Sequence, residues 1–169
     1  PISEFITSHP TPDESSVRAA ESVLKYTSQM NKNDLSINLI SGGGSSLLCL
    51  PHEGISLNDK VTVNSLLLKC GANINEINTI RKHLSKIKGG RLSEHIHPAQ
   101  SISLIISDVI NDDISTIASG PTSIDQTSYS DALDIIHRYK IQTEIPLSVM
   151  DVLKKGKSNK IPETPKKLD

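Results

Sequence analysis

Apolar residues change their spacing several times along the chain, and each change marks a new element. Val17, Ala20, Val23, Leu24 and Met30 recur three or four residues apart, the period of one helix face. Residues 2–8 and 35–41 are short β-prone runs, and "SISLIIS" at 101–107 is a continuous apolar stretch typical of a strand covered on both faces. Ile74, Ile77, Ile80, Leu84 and Ile87 trace one face of a further helix, and residues 128–139 and 146–155 are also predicted helical.

Punctuating residues agree with this reading. Thr11 is placed to cap the first helix, with Pro12 at its first position and Glu14 completing a capping box. Ser56 and Asp59 open another helix that Gly71 closes, and Gly89-Gly90 ends the isoleucine helix. Strands alternate with helices, which predicts a three-layer α/β fold with a mainly parallel sheet.

Composition narrows the class without naming a function. The 169 residues suit one domain, and only Phe5, Tyr26, Tyr129 and Tyr139 are aromatic, so Ile, Leu, Val and Ala must build the core. A net charge of -1, from 18 basic and 19 acidic residues, points to neither nucleic acid nor a membrane surface. Cys49 and Cys70 lack C-x-x-C spacing and are expected to be packed thiols of a reduced, cytoplasmic chain. No apolar run approaches ~20 residues, and no basic-then-apolar leader precedes one. Pro1 runs almost directly into an apolar segment, and the last residues, "SNKIPETPKKLD", are polar and rich in Pro and Lys. Both ends are expected to be cut from something longer, with residues 1–157 belonging to a domain and 158–169 to a linker.

Ligands of open parallel sheets bind beyond the carboxyl ends of the strands, which selects two loops. The first is Ser41, Gly42, Gly43, Gly44, Ser45 and Ser46. Its glycines offer bare backbone N–H groups, and Ser45 and Ser46 are expected to start a short helix, an arrangement suited to phosphate. The alternative is a tight strand-to-helix turn that binds nothing. The spacing is neither a Walker A loop, having no Lys-Ser/Thr, nor a dinucleotide fingerprint, since Leu47 stands where the third glycine belongs.

The second loop holds Asp108, Asp112 and Asp113. Two carboxylates ~4 Å apart repel by ~4 kcal/mol at an effective dielectric of ~20, so a loop that gathers them needs a cation such as Mg²⁺. Alternatively, Asp112 or Asp113 caps a short helix, worth ~1 kcal/mol. A third group, Asn78, Arg81, Lys82, Ser85 and Lys88, recurs at helical spacing opposite the isoleucines and suits an anionic substrate. Cations near a helix end are also commonly just solvated. Ser119, Thr122 and Asp125 lie in a small-residue loop that either reaches a ligand or is merely a turn.

"SHPTPDESS", "LISGGGSSLL", "GANINEINTIRKHLSKIKGGRL", "SDVINDDISTIASGPTSID" and "PETPK" occur in this order from about Ser8 to Lys166. Together they closely resemble the type-2 glycerate kinases, whose members are often labelled hydroxypyruvate reductase. The resemblance implies a Rossmann-like first domain that uses ATP and Mg²⁺ to phosphorylate the 2-hydroxyl of glycerate, giving 2-phosphoglycerate. It implies that Ser41–Ser46 cradle phosphate, and that Asn78, Arg81, Lys82 and Lys88 hold the glycerate carboxylate or the moving phosphoryl charge. Asp108, with Asp112, would coordinate Mg²⁺ or orient the attacking hydroxyl, and Ser119 and Thr122 would contact substrate. Arg81, Lys82 and Asp108 are the implied catalytic set. The resemblance further implies an earlier strand with a Gly-Lys-Ala segment and a second domain closing the cleft, so this chain is expected to have little activity alone. Asn111 stands where the family usually has glycine, so a slightly different backbone is expected there. The competing readings are a non-catalytic binding domain and an oxidoreductase acting on hydroxypyruvate, which would need a nicotinamide site.

Overall fold

The computed structural model describes residues 2–168. In chain order these form α1 (Glu14–Thr27), β1 (Leu35–Ile40), α2 (Gly44–Leu47), α3 (Leu57–Lys69), α4 (Ile74–His83), α5 (Arg91–Ile96), β2 (Gln100–Ile105), α6 (Tyr129–Arg138) and α7 (Leu147–Lys157). Short 3-10 turns at Ile110–Asp112 and Ile117–Ser119 lie between β2 and α6. β1 and β2 pair in parallel, with Leu35 opposite Gln100 and Ile40 opposite Ile105. The fold is α/β with a small parallel sheet, as the alternation of patterns predicts.

Local capping explains where most helices start. Ser56 accepts from Asp59 N–H while the Asp59 carboxylate accepts from Ser56 N–H, the expected reciprocal box. Ser128 and Asp131 repeat it on α6. The first helix departs from expectation. Asp13, not Thr11, is its cap, accepting from the backbone of Ser15 and Ser16, and Pro12 lies outside the helix. A carboxylate facing the positive helix end caps better than a threonine hydroxyl.

Three further expectations are corrected. Residues 2–8 form no strand, because β1 and β2 pair with each other and no ladder partner among the described residues lies beside the segment. The isoleucine helix stops at His83 rather than continuing to Ile87. There the backbone turns to pair with the segment after α2: Lys86 N–H donates to Leu50 O at 3.0 Å and His52 N–H to Leu84 O at 2.9 Å. Finally, the strands are not covered on both faces by the described residues: Ile37 is 61 % exposed and Leu39 77 %, with Leu104 and Ile106 also open.

The main core lies among α3, α4, α6 and α7, built from aliphatic residues such as Leu67, Ile80, Ile136 and Leu153 around Tyr129. Tyr129 fits because position 156 is glycine: a Cβ there would lie 2.2 Å from the ring. Ala20, Ile87, Leu92 and Ile96 make a smaller cluster under α1 and α5. Cys49 and Cys70 are both free thiols. The segment 158–169 is anchored part-way along, with Thr164 and Pro165 buried.

Candidate functional site

Parallel pairing brings the ends of β1 and β2 to one edge, and the ladder is extended by Ile106 N–H donating to Ile40 O at 2.8 Å. The glycine loop and the acidic loop therefore meet. A Cβ on Gly42 would stand 2.2 Å from Asp108 Oδ2, so only glycine leaves room for this carboxylate. Gly43 takes φ +83°, a left-handed backbone that side chains resist, and starts α2. Ser45 and Ser46 fall within α2, as expected.

α2 is held from below by a polar chain. Ser45 Oγ lies 2.8 Å from Ser119 Oγ, and Ser119 donates to Asn78 Oδ1 at 3.0 Å. Lys88 Nζ donates to Ser45 O at 2.6 Å, Ser45 Oγ at 3.2 Å and Leu48 O at 3.3 Å. Its pKa falls to about 7 because burial strips its water first, and the charges of Lys60 and Arg81 add to that against the Cys49 sulfur.

Beside this loop opens a cleft of about 260 Å³. Gly43, Ser45 and Ser46 line it together with Lys60, Arg81 and Lys88. Arg81 is steadied by Asn64 Oδ1, which accepts from its Nε at 2.9 Å and also from Nη2. Burial lowers the Arg81 pKa, with Cys49 opposing.

Residues 2–154 match the profile of a family described as a domain of unknown function, DUF4147. The chain belongs to this family. Over 146 residues it is 47 % identical to a D-glycerate 2-kinase from Thermotoga maritima, covering 85 % of this chain and 35 % of that protein. It is 47 % identical over 156 residues to a glycerate 2-kinase from Pyrococcus horikoshii, covering 92 % of the chain and 35 % of the relative. A crystal structure from Pyrococcus horikoshii superposes with a TM-score of 0.95 at 45 % identity, over 98 % of this chain and 38 % of that one. The crystal structure of a Thermotoga maritima glycerate kinase gives 0.88 at 44 % identity, over 100 % and 39 %. Two Agrobacterium vitis relatives in the same range carry a hydroxypyruvate reductase name. The chain thus spans little more than a third of the length of these relatives.

Within this DUF4147 domain the other candidates take separate positions. Lys82 does not line the cleft: its Nζ lies 3.4 Å from Asp125 Oδ1, and both side chains are buried. Asp125 also accepts from Thr127 Oγ1 at 2.7 Å and Thr164 Oγ1 at 3.0 Å. Burial alone would raise the Asp125 pKa, but Lys82, Thr127 and His83 prevail and lower it. Thr122 ties its loop to β2 by accepting from Ser103 Oγ at 2.8 Å. Asn78 faces Ser119 and the Thr116 carbonyl rather than the cleft.

In the acidic loop, Asp113 closes a local turn, accepting from Ser115 N–H at 2.9 Å and Thr116 Oγ1 at 3.0 Å. Asp108 and Asp112 are exposed. Asn111 takes φ 67°, the left-handed region that glycine favours and asparagine tolerates. Among the described residues no three His, Cys, Asp or Glu side chains gather as a complete metal site. Magnesium does not require one, since it is commonly held by one or two carboxylates together with substrate phosphates. Asp108 suits that role, because its carboxylate lies directly against the bare backbone of Gly42.

Two cleft residues, Lys60 and Asn64, escape the sequence reading. A signal for the first exists: Lys60 shares the buried face of α3 with Val63 and Leu67, where an apolar residue is expected. Among the described residues, no helix is long and apolar enough to cross a membrane.

Proposed function

We propose that this chain carries the phosphate-binding part and a share of the acid-binding part of a cytoplasmic glycerate 2-kinase. The supporting observation is the fit of Asp108 against Gly42, which sets a carboxylate beside the glycine loop at the shared carboxyl edge of β1 and β2. The names of the relatives support the same reaction. In it the 2-hydroxyl oxygen of glycerate attacks the γ-phosphorus of ATP, the bond to the β-phosphate oxygen breaks, ADP departs and the hydroxyl proton is released.

Such transfers depend on positioning and charge neutralisation more than on covalent chemistry. Ser41–Ser46 cradle phosphate oxygens, chiefly through the N–H groups not bonded within the loop, since those of Gly44 and Ser46 donate to Ser41 O and Gly43 O. Asp108, with Asp112, would hold Mg²⁺ or orient the hydroxyl. When bound, Mg²⁺ neutralises charge on the β- and γ-phosphate oxygens. Arg81 and Lys88 face the acid or the moving phosphoryl charge. Ser119 and Asn78 support Ser45 from behind, and Thr122 fixes the neighbouring loop to β2. Lys82 braces α4 through Asp125. The segment 158–169 leads toward a second domain that closes the cleft, so the chain alone binds ligands but turns them over slowly.

A reductase acting on hydroxypyruvate is disfavoured because Leu47 interrupts any nicotinamide fingerprint after β1. Calorimetric titration of the chain with Mg²⁺·ATP, repeated on Asp108→Asn, tests the kinase reading. Binding that weakens at least tenfold in the variant is expected. Equal binding by both proteins, or NADH binding in place of ATP, overturns it.

A further inference from the structure

Lys60 enters the cleft from the first turn of α3 and is 9 % exposed. Among the described residues its Nζ has no hydrogen-bonded nitrogen or oxygen partner and no carboxylate within ion-pair distance, and only the Cys49 thiol beside it favours the charged form. A buried ammonium without a partner costs free energy that the surrounding fold does not return. Burial lowers its pKa, with the Cys49 sulfur opposing and Arg81 adding to the effect. Lys88 is 2 % exposed and hydrogen-bonds only to neutral oxygens. Arg81 is paired only with the neutral Asn64. Two lysines and an arginine therefore line one cleft, and among the described residues no acidic side chain lines it with them.

We propose that this cleft holds the carboxylate of a small hydroxy acid, with Lys60 as its anchor beside Lys88 and Arg81. The anion supplies the counter-charge that the fold withholds. Size agrees: about 260 Å³, near the small end of the ~300–1,000 Å³ typical of ligand sites, accommodates a three-carbon acid. Location agrees as well, because Gly43, Ser45 and Ser46 line the same cleft and Lys88 Nζ bonds directly to Ser45. An acid seated there lies next to the loop that holds phosphate, the proximity that transfer needs. The identity of the acid as glycerate rests on the kinase reading; the charge of the cleft does not.

The test is Lys60→Met in the full chain, titrated calorimetrically with sodium D-glycerate and separately with Mg²⁺·ATP, with melting temperatures taken without ligand. Glycerate affinity should fall at least tenfold while Mg²⁺·ATP affinity stays within about twofold. The ligand-free variant should melt about 2 °C or more higher, since a buried amine without a nitrogen or oxygen partner has gone. Lys60→Arg, which keeps the charge, should retain more glycerate binding than Lys60→Met. Unchanged glycerate affinity in Lys60→Met overturns the anchor, as does absence of glycerate binding by the unmodified chain. Glycerate binding that depends on Lys60, without any Mg²⁺·ATP binding, keeps the anchor and sinks the kinase reading instead.

Discussion

The carboxylate of Asp108 occupies the space that a side chain at position 42 would need, 2.2 Å from where a Cβ on Gly42 would lie. Two loops separated by more than sixty residues of sequence are thereby matched atom to atom. Gly42→Ala should push the carboxylate aside without disturbing the cores, which lie elsewhere. We expect Mg²⁺·ATP affinity to drop by at least tenfold, with the melting temperature changed by no more than a few degrees. Calorimetry alongside thermal melting checks both halves of this expectation. A variant that binds as tightly as the parent would mean that the contact has no part in nucleotide binding.

Lys82 presents the opposite case, a cation already satisfied within the fold. Removing one member of a buried ion pair leaves the other charge stranded, typically at a cost of about 3–5 kcal/mol. Lys82→Met should therefore lower the urea midpoint strongly, by exposing Asp125 to a site built for its partner. Any folded population should still bind glycerate with near-parental affinity. Loss of binding at unchanged stability would move Lys82 into the chemistry.

Acid should loosen the C-terminal anchor. Burial alone would raise the Glu163 pKa, but hydrogen bonds from His83, Tyr129 N–H and Thr164 N–H bring it down to about 2. A carboxylate held below its ordinary value contributes stability that is fully present above about pH 4.5. That contribution disappears as the pH falls from there toward 2. Urea melts across this window should show a decline in stability that Glu163→Gln makes shallower. Parallel curves for the two proteins would contradict the assignment.

Those parts of the molecule that depend on neighbours in sequence could be read from it. The box between Ser56 and Asp59 spans three residues, and the turn at Gly71 follows from a single positive φ. The meeting of the glycine and acidic loops could also be read, because a parallel pair of strands has only one carboxyl edge. What escaped depends on distant partners. Residues 2–8 have the composition of a strand, but a strand exists only beside another. Ile87 is buried as its spacing suggests, yet the helix ends before it because the Leu50 segment competes for the backbone. Lys60 gains its meaning from Cys49, Arg81 and Lys88, none of them within one helical turn of it. Lys82 and Lys88 look alike on a helical stripe, and only the fold sends one to Asp125 and the other to Ser45.

The same long reach bears on how the chain is made. Asp125 accepts from Thr164, Asp125 N–H donates to Pro165 O at 3.0 Å, and His83 Nε2 lies 2.9 Å from Glu163 Oε1. On a ribosome that adds ~5–20 residues per second, His83 is synthesised seconds before Glu163 exists. From the synthesis of Asp125 until that of Glu163 the nascent chain carries Lys82, Asp125 and the end of α4 without the segment that seals them. Completion of this region therefore waits on residues 163–165, however early the helices themselves form.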